Sequence, residues 1–168
     1  PELWSELEPV LSGMESELRD DGYQIYSGFL EAPVSGGWSW LAESTFLTGR
    51  WIDSQAQYDE LLKTKVDSIP RYLKRGGYFT LLSMPAVNKG EWTEGLEFYD
   101  IDKRLYQKDF DYKGPWFSFV EVPDQFAVWK THKVLQEDRP TPDTPAYVQL
   151  VLVSTHAPFS RIPPYIEP

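Results

Sequence analysis

Apolar positions along the chain recur in two periods, and the switches between them outline the elements. From Glu2 to Asp20, Leu3, Leu7, Val10, Leu11, Met14 and Leu18 follow one another at spacings of three and four. This spacing predicts an amphipathic helix with an acidic outer face, closed by Gly22. Tyr23 to Leu30 is aromatic and β-branched enough to predict a short strand. Gly36 and Gly37 break the chain, and Trp38 to Leu47 reads as a second helix that ends at Gly49.

Asp53 or Ser54 is placed to cap a third helix carrying Tyr58, Leu61 and Leu62. A fourth runs from about Ser68 to Arg75, with Pro70 tolerated in its first turn and Gly76-Gly77 as its stop. The continuous apolar run Tyr78 to Met84 predicts a strand buried on both faces. Asn88 to Gly114, rich in aromatic and charged residues, reads as a long irregular loop with short elements. Asp124 is placed to cap a helix from Gln125 to about Gln136. A proline-rich connector from Arg139 to Pro145 leads to the strongest strand of the sequence, Tyr147 to Ser154. Helices alternating with buried strands predict an α/β fold, a mostly parallel sheet flanked by helices.

Composition narrows the function. A chain of 168 residues with 41% hydrophobic and 15% aromatic residues suits one globular domain, residues 1–168, better than two independent cores. Its formal net charge of −10 argues against nucleic acid as a partner, since no block of Lys and Arg offsets it. Lys74-Arg75 and Lys130 to Lys133 read as solvated helix faces. With no cysteine there is no disulfide, thiolate metal site or Cys nucleophile. No apolar run reaches the ~20 residues that span a bilayer, and the start Pro1-Glu2-Leu3-Trp4 lacks the basic region of a signal peptide. The chain opens directly on a helix pattern and closes on the extended Ile162 to Pro168, which reads as a piece of something larger.

Three groups of residues are candidates for chemistry. Ser39 follows the Gly-Gly turn at the start of a helix, where unpaired N–H groups and the helix dipole favour an anion. By spacing alone its hydroxyl is either a helix cap or a nucleophile. His156 follows the strongest strand at its carboxyl end, where ligands of open α/β sheets gather. It is either a ligand to a phosphoryl oxygen, metal or leaving group, or a hydrogen-bonded structural histidine. His132, among lysines on a helix, reads as a surface residue. The aromatic stretch with Trp92, Phe98, Tyr99, Tyr106, Phe110, Tyr112, Trp116 and Phe117 is read as core packing under a long loop before a sugar or polyol platform. Asp100, Asp102, Asp109 and Asp111 lack the order of a calcium loop and are read as solvated.

Taken in order, the motifs resemble the alkaline-phosphatase superfamily in its sulfatase-like branch. The matching elements begin with Gly36-Gly37-x-Ser39 and Thr48-Gly49, followed by Leu73-x-x-Gly76-Gly77-Tyr78-x-Thr80 and Phe98-Tyr99-Asp100. Asp111-Tyr112-Lys113-Gly114-Pro115, Pro123-Asp124-Gln125-Phe126 and Val153-Ser154-Thr155-His156-Ala157-Pro158 complete the series. The likeness runs from about Tyr23 to Pro164. It implies that Ser39 is both nucleophile and ligand to a divalent metal (zinc, manganese, magnesium or calcium), and that His156 binds the charged group of a phosphate- or sulfate-ester substrate.

Two departures refine the resemblance. Sulfatases that convert their nucleophile to formylglycine carry Pro two residues and Arg four residues after it, where this chain has Leu41 and Glu43. Ser39 is therefore expected to stay serine and act on phosphate esters, as in the phosphoglycerol and phosphoethanolamine transferases of bacterial envelopes. The family's first metal-binding acid and its late Asp-His ligands are expected before Pro1 and beyond Pro168. The resemblance thus implies the central part of an alkaline-phosphatase-like catalytic domain, inactive alone, from a periplasmic or extracytoplasmic parent anchored in the inner membrane. Two other classes stay open: a binding module for anionic glycans or lipid headgroups, and a structural interaction domain. An exposed sheet edge where flanking strands belong also predicts self-association.

Overall fold

The computed structural model describes residues 2–26, 28, 30–87, 97–116, 120–154 and 156. It divides the chain into two compact units, Pro1–Ala32 and Pro33–Pro168.

The first unit is built on helix α1 (Glu2–Asp20). Glycine closes it as expected: Gly22 adopts φ 88°, Tyr23 N donates to Leu18 O at 2.9 Å and Gly22 N to Arg19 O at 2.9 Å. These paired bonds satisfy carbonyls that the helix end would leave bare. Arg19 pairs with Glu15 at 2.6 Å and also donates to Ile25 O, tying the following segment to the last turn. The strand expected over Tyr23 to Leu30 does not form among its described residues. Tyr23, Tyr26 and Leu30 are exposed, and β propensity makes no strand without a partner ladder.

The second unit holds the sheet. Helix α2 (Ser39–Thr48) ends at Gly49, whose φ of 65° places it in the left-handed region. Helix α3 (Gln55–Leu62) has Ser54 at its N-cap, and Gln57 accepts from Asp53 N at 2.8 Å. In helix α4 (Ile69–Arg75), the Ser68 hydroxyl accepts from Arg71 N. Gly77, at φ 86°, then turns the chain into strand β1 (Phe79–Met84). Strand β2 (Lys103–Tyr106), a 3₁₀ turn (Gln107–Phe110), helix α5 (Asp124–Asp138) and strand β3 (Ala146–Leu150) follow. The sheet has the order β2-β1-β3 and is parallel throughout, with Leu82 opposite Arg104 on one side and Gln149 on the other. This is the α/β architecture that the sequence predicts. β1 is central and buried, as its apolar run requires.

The loop expected between Asn88 and Gly114 carries short elements as predicted, β2 and the 3₁₀ turn; residues 88–96 lie outside the description. One expectation needs correction. β3 stops at Leu150 rather than Ser154, although Val151 N still donates to Ser83 O at 2.9 Å.

Among the described residues, three apolar clusters fill the unit. Leu41, Leu47, Tyr58, Phe98 and Tyr99 pack around α2 and α3. Leu81, Leu105, Phe110, Val122, Ala127 and Val134 join the sheet to α5, while Leu82, Met84 and Tyr106 form the third cluster. Phe98, Tyr99, Tyr106 and Phe110 are therefore core, as expected of the aromatic stretch, and Tyr112 packs on Phe126 at 5.0 Å. Trp116 is exposed, and Trp92 and Phe117 lie outside the described residues.

The aspartates are not simply solvated. Lys74 bridges Asp100 at 2.8 Å and Asp102 at 2.9 Å, so it too is engaged rather than a bare surface charge. Asp102 accepts from Thr80 N and Oγ1, fastening the start of β1 to the approach of β2. Burial pushes the Asp102 carboxyl up, but Lys74 and Thr80 outweigh it and hold the carboxyl below its usual range. Asp109 accepts from Tyr106 N at 2.9 Å, and Asp111 pairs with Lys113 at 2.5 Å.

Candidate functional site

Three consecutive left-handed residues deliver the chain to α2: Gly36 (φ 70°), Gly37 (φ 68°) and Trp38 (φ 54°). Glycine adopts this conformation without penalty, whereas for a bulky L-residue it costs roughly 1–2 kcal/mol. Trp38 occupies the N-cap position and makes no side-chain cap bond. Ser39 is thus the first residue of the helix, so the capping position does not fall to it. Its side chain is exposed at the positive end of the helix dipole, where first-turn N–H groups point outward.

Ser39 stands on the rim of a cavity of about 880 Å³. Trp40, Glu43 and Phe46 of α2, Met84 and Val87 at the carboxyl end of β1, and Tyr147 to Val151 line the rest. The lining is mainly apolar and lies beside the carboxyl ends of parallel strands, the usual location of ligand sites in such sheets.

Glu43, one helical turn after Ser39, is the only charged residue among the described residues of that lining. Withdrawal from water pushes its carboxyl up to about 7, a rise that the hydrogen bond from Gln149 partly opposes. Gln149 Nε2 donates to Glu43 Oε1, while Gln149 Oε1 accepts from the Tyr147 hydroxyl at 2.9 Å. The phenol therefore fixes which end of the amide meets the carboxyl. Burial, reinforced by the Glu43 charge, pushes the Tyr147 hydroxyl up to about 12. Tyr99 is also raised to about 12, chiefly by burial, and donates to Ser44 Oγ at 2.9 Å, which in turn donates to Trp40 O. These bonds brace the helix from behind.

Asp124 departs from its expected role. It is the first residue of α5, after Pro123, and does not cap its own helix. Its carboxylate accepts from Val153 N at 2.8 Å and Ser154 N at 3.0 Å, and Ser154 Oγ accepts from Asp124 N at 3.4 Å. This clamp holds the segment that leads to His156, whose N–H donates to Val153 O at 3.0 Å in a turn. His156 is exposed beyond the carboxyl end of β3 and is not among the residues lining the cavity. Thr155, Ala157 and Pro158 of the same motif lie outside the described residues. His132 is exposed on α5, as expected.

Sequence reasoning missed Glu43, Gln149 and Tyr147 as site residues. Glu43 entered only as the absence of an arginine; its spacing of four from Ser39 was the available signal. Gln149 was the one polar residue inside the run Tyr-Val-Gln-Leu-Val-Leu-Val. Among the described residues no group of three or more His, Asp or Glu is placed to hold a metal ion. Around Ser39 the described cavity lining offers one carboxylate, Glu43, amid mainly apolar side chains, so any further ligands to a metal on Ser39 would come from outside the described residues. Nor is any described helix long and apolar enough to cross a membrane.

No family model matches the chain, and no curated protein matches it in sequence. A solved structure does: the lipoteichoic acid synthase LtaP from Listeria monocytogenes is 24% identical, with a TM-score of 0.60 over 79% of this chain. The match covers 32% of LtaP, so the chain spans about a third of that protein's length. At this identity the likeness is one of fold. The shared fold is α/β, a parallel sheet flanked by helices, as the sequence predicts.

Proposed function

We propose that the chain carries the nucleophile segment of a phosphoester hydrolase or phosphotransferase, with Ser39 as the attacking residue. One observation carries the reading. Ser39 opens α2 after three left-handed residues, with no side-chain cap occupying the first-turn N–H groups, on the rim of a cavity at the carboxyl side of a parallel sheet. An ester phosphate placed there meets N–H donors and the positive helix end, which stabilise the charge that builds on its oxygens. The Ser39 Oγ–P bond forms as the bond from phosphorus to the leaving alcohol breaks. Water or a second alcohol then releases the phosphoryl group from the serine. In this reading His156 binds the substrate's charged group; the Asp124 clamp orders the segment that leads to it.

The resemblance supports phosphate over sulfate, because Leu41 and Glu43 stand where formylglycine formation needs Pro and Arg. In this reading the divalent metal belongs to the parent enzyme, with Ser39 as one ligand and the others supplied from outside the described residues. The described residues alone are then inactive. The family resemblance read from the motifs further implies an extracytoplasmic, membrane-anchored parent.

Turnover of a generic phosphodiester by the intact protein, with divalent metal supplied, tests the proposal. Ser39→Ala is expected to lower turnover by about a thousandfold or more, the usual order for a lost nucleophile. Undiminished turnover by that variant would overturn it.

A further inference from the structure

The α2–β3 cavity contains a feature that phosphoester chemistry at Ser39 does not use. Among the described residues Glu43 lies in an otherwise uncharged lining, and its described partner is the amide of Gln149, a neutral donor. Neither Lys nor Arg among the described residues contributes to that lining. A carboxylate drawn out of water without a cation is costly, and a ligand cation is the group that relieves the cost. The walls suit one. Trp40 and Phe46 of α2 and Tyr147 of β3 bring three aromatic rings to the same cavity as the carboxylate. Aromatic faces attract alkylammonium groups, most strongly where water is excluded.

Several of these groups are already anchored. Trp40 Nε1 donates to Gln55 Oε1 at 3.0 Å, and its ring lies 5.2 Å from that of Trp38. Tyr147 is bonded to Gln149, which orients the amide toward Glu43. The carboxylate and two of the three rings are therefore held before any ligand arrives, which lowers the ordering cost of binding.

We propose that the α2–β3 cavity is a binding site for an organic ammonium group, with Glu43 as its counter-ion and Trp40, Phe46 and Tyr147 as its aromatic wall. The site goes beyond the reaction proposed for Ser39 and does not depend on it. Where both hold, an ammonium on Glu43 sits about one helical turn, ~6 Å, from a phosphate at Ser39, a spacing that fits a short aminoalkyl phosphoester.

Equilibrium binding to the protein, read by tryptophan fluorescence and calorimetry at about pH 8.5, tests this above the titration of Glu43 near 7. The probes are choline and 3,3-dimethylbutan-1-ol, its uncharged isostere. Choline is expected to bind at least about tenfold more tightly than the isostere, and Glu43→Gln to remove that preference while leaving the isostere's affinity unchanged. Equal binding of the two probes by the unaltered protein would overturn the proposal without recourse to any variant. So would no detectable binding of choline, or a choline preference that survives in Glu43→Gln. Because the readout is binding, the site can fail while Ser39 turnover stands, and the reverse.

Discussion

Helices α5 and α2 each meet the sheet through polar side chains, and the two contacts differ in how far they are closed. On the α5 side, Ser83 Oγ and Thr131 Oγ1 lie 2.7 Å apart and Thr131 also donates to Ala127 O, all of it buried. The groups are neutral and satisfy one another, so Leu81, Leu105 and Phe110 pack tightly around them. On the α2 side, Gln149, itself bonded by Tyr147, donates to Glu43, a group whose charge the neutral amide cannot neutralise. That contact borders a cavity of about 880 Å³ instead of closing it. A satisfied neutral pair reads as structure; a charge held by neutral donors beside open space reads as a site.

Truncating the closed contact tests the contrast most severely. Leu81 is fully buried between the sheet and α5, and Leu81→Ala is expected to cost about 2–5 kcal/mol in urea denaturation. A cost below ~1 kcal/mol would mean that this side is as loosely packed as the other.

The open contact makes a prediction through pH. Burial pushes the folded Glu43 carboxyl up to about 7 from its ordinary 4.5, so the folded state holds its proton more tightly. Its contribution to stability is complete below pH 4.5 and is lost as pH rises through about 7, a change of up to roughly 3 kcal/mol. Glu43→Gln should remove that decline, so the variant gains on the unaltered protein as the solution turns alkaline. Parallel urea midpoints for both proteins across the range would contradict the assigned burial.

The smallest effect is expected from the hydroxyl pair. Ser83→Ala should cost about 1 kcal/mol, and a double-mutant cycle with Thr131→Val should return a coupling of at least ~0.5 kcal/mol. Additive single effects would remove the pair from the account of the closed side.

Much of the architecture was legible in local pattern. The helix ends at Gly22, Gly49 and Gly77 were readable because a left-handed backbone excludes most side chains, a constraint that acts within a few residues. β1 was readable because a strand covered on both faces must be apolar throughout. Ser39 was readable as a position, first in its helix after a Gly-Gly turn. β2 was not, since Lys103-Arg104-Leu105-Tyr106 has little strand character until it lies beside β1. Tyr23 to Leu30 erred the other way, with strand-like residues but no ladder among those described.

By itself the sequence determined the periods, the glycine turns, the α/β class and the place of Ser39, because backbone sterics and amphipathic spacing are local. Tertiary structure alone decided that Asp124 would hold Val153 and Ser154 rather than its own helix, and that Asp102 would fasten Thr80. It also decided the environment of Glu43, whose partner Gln149 lies 106 residues away. Desolvation and charge pairing depend on what the rest of the chain brings near a group, and no local pattern encodes that.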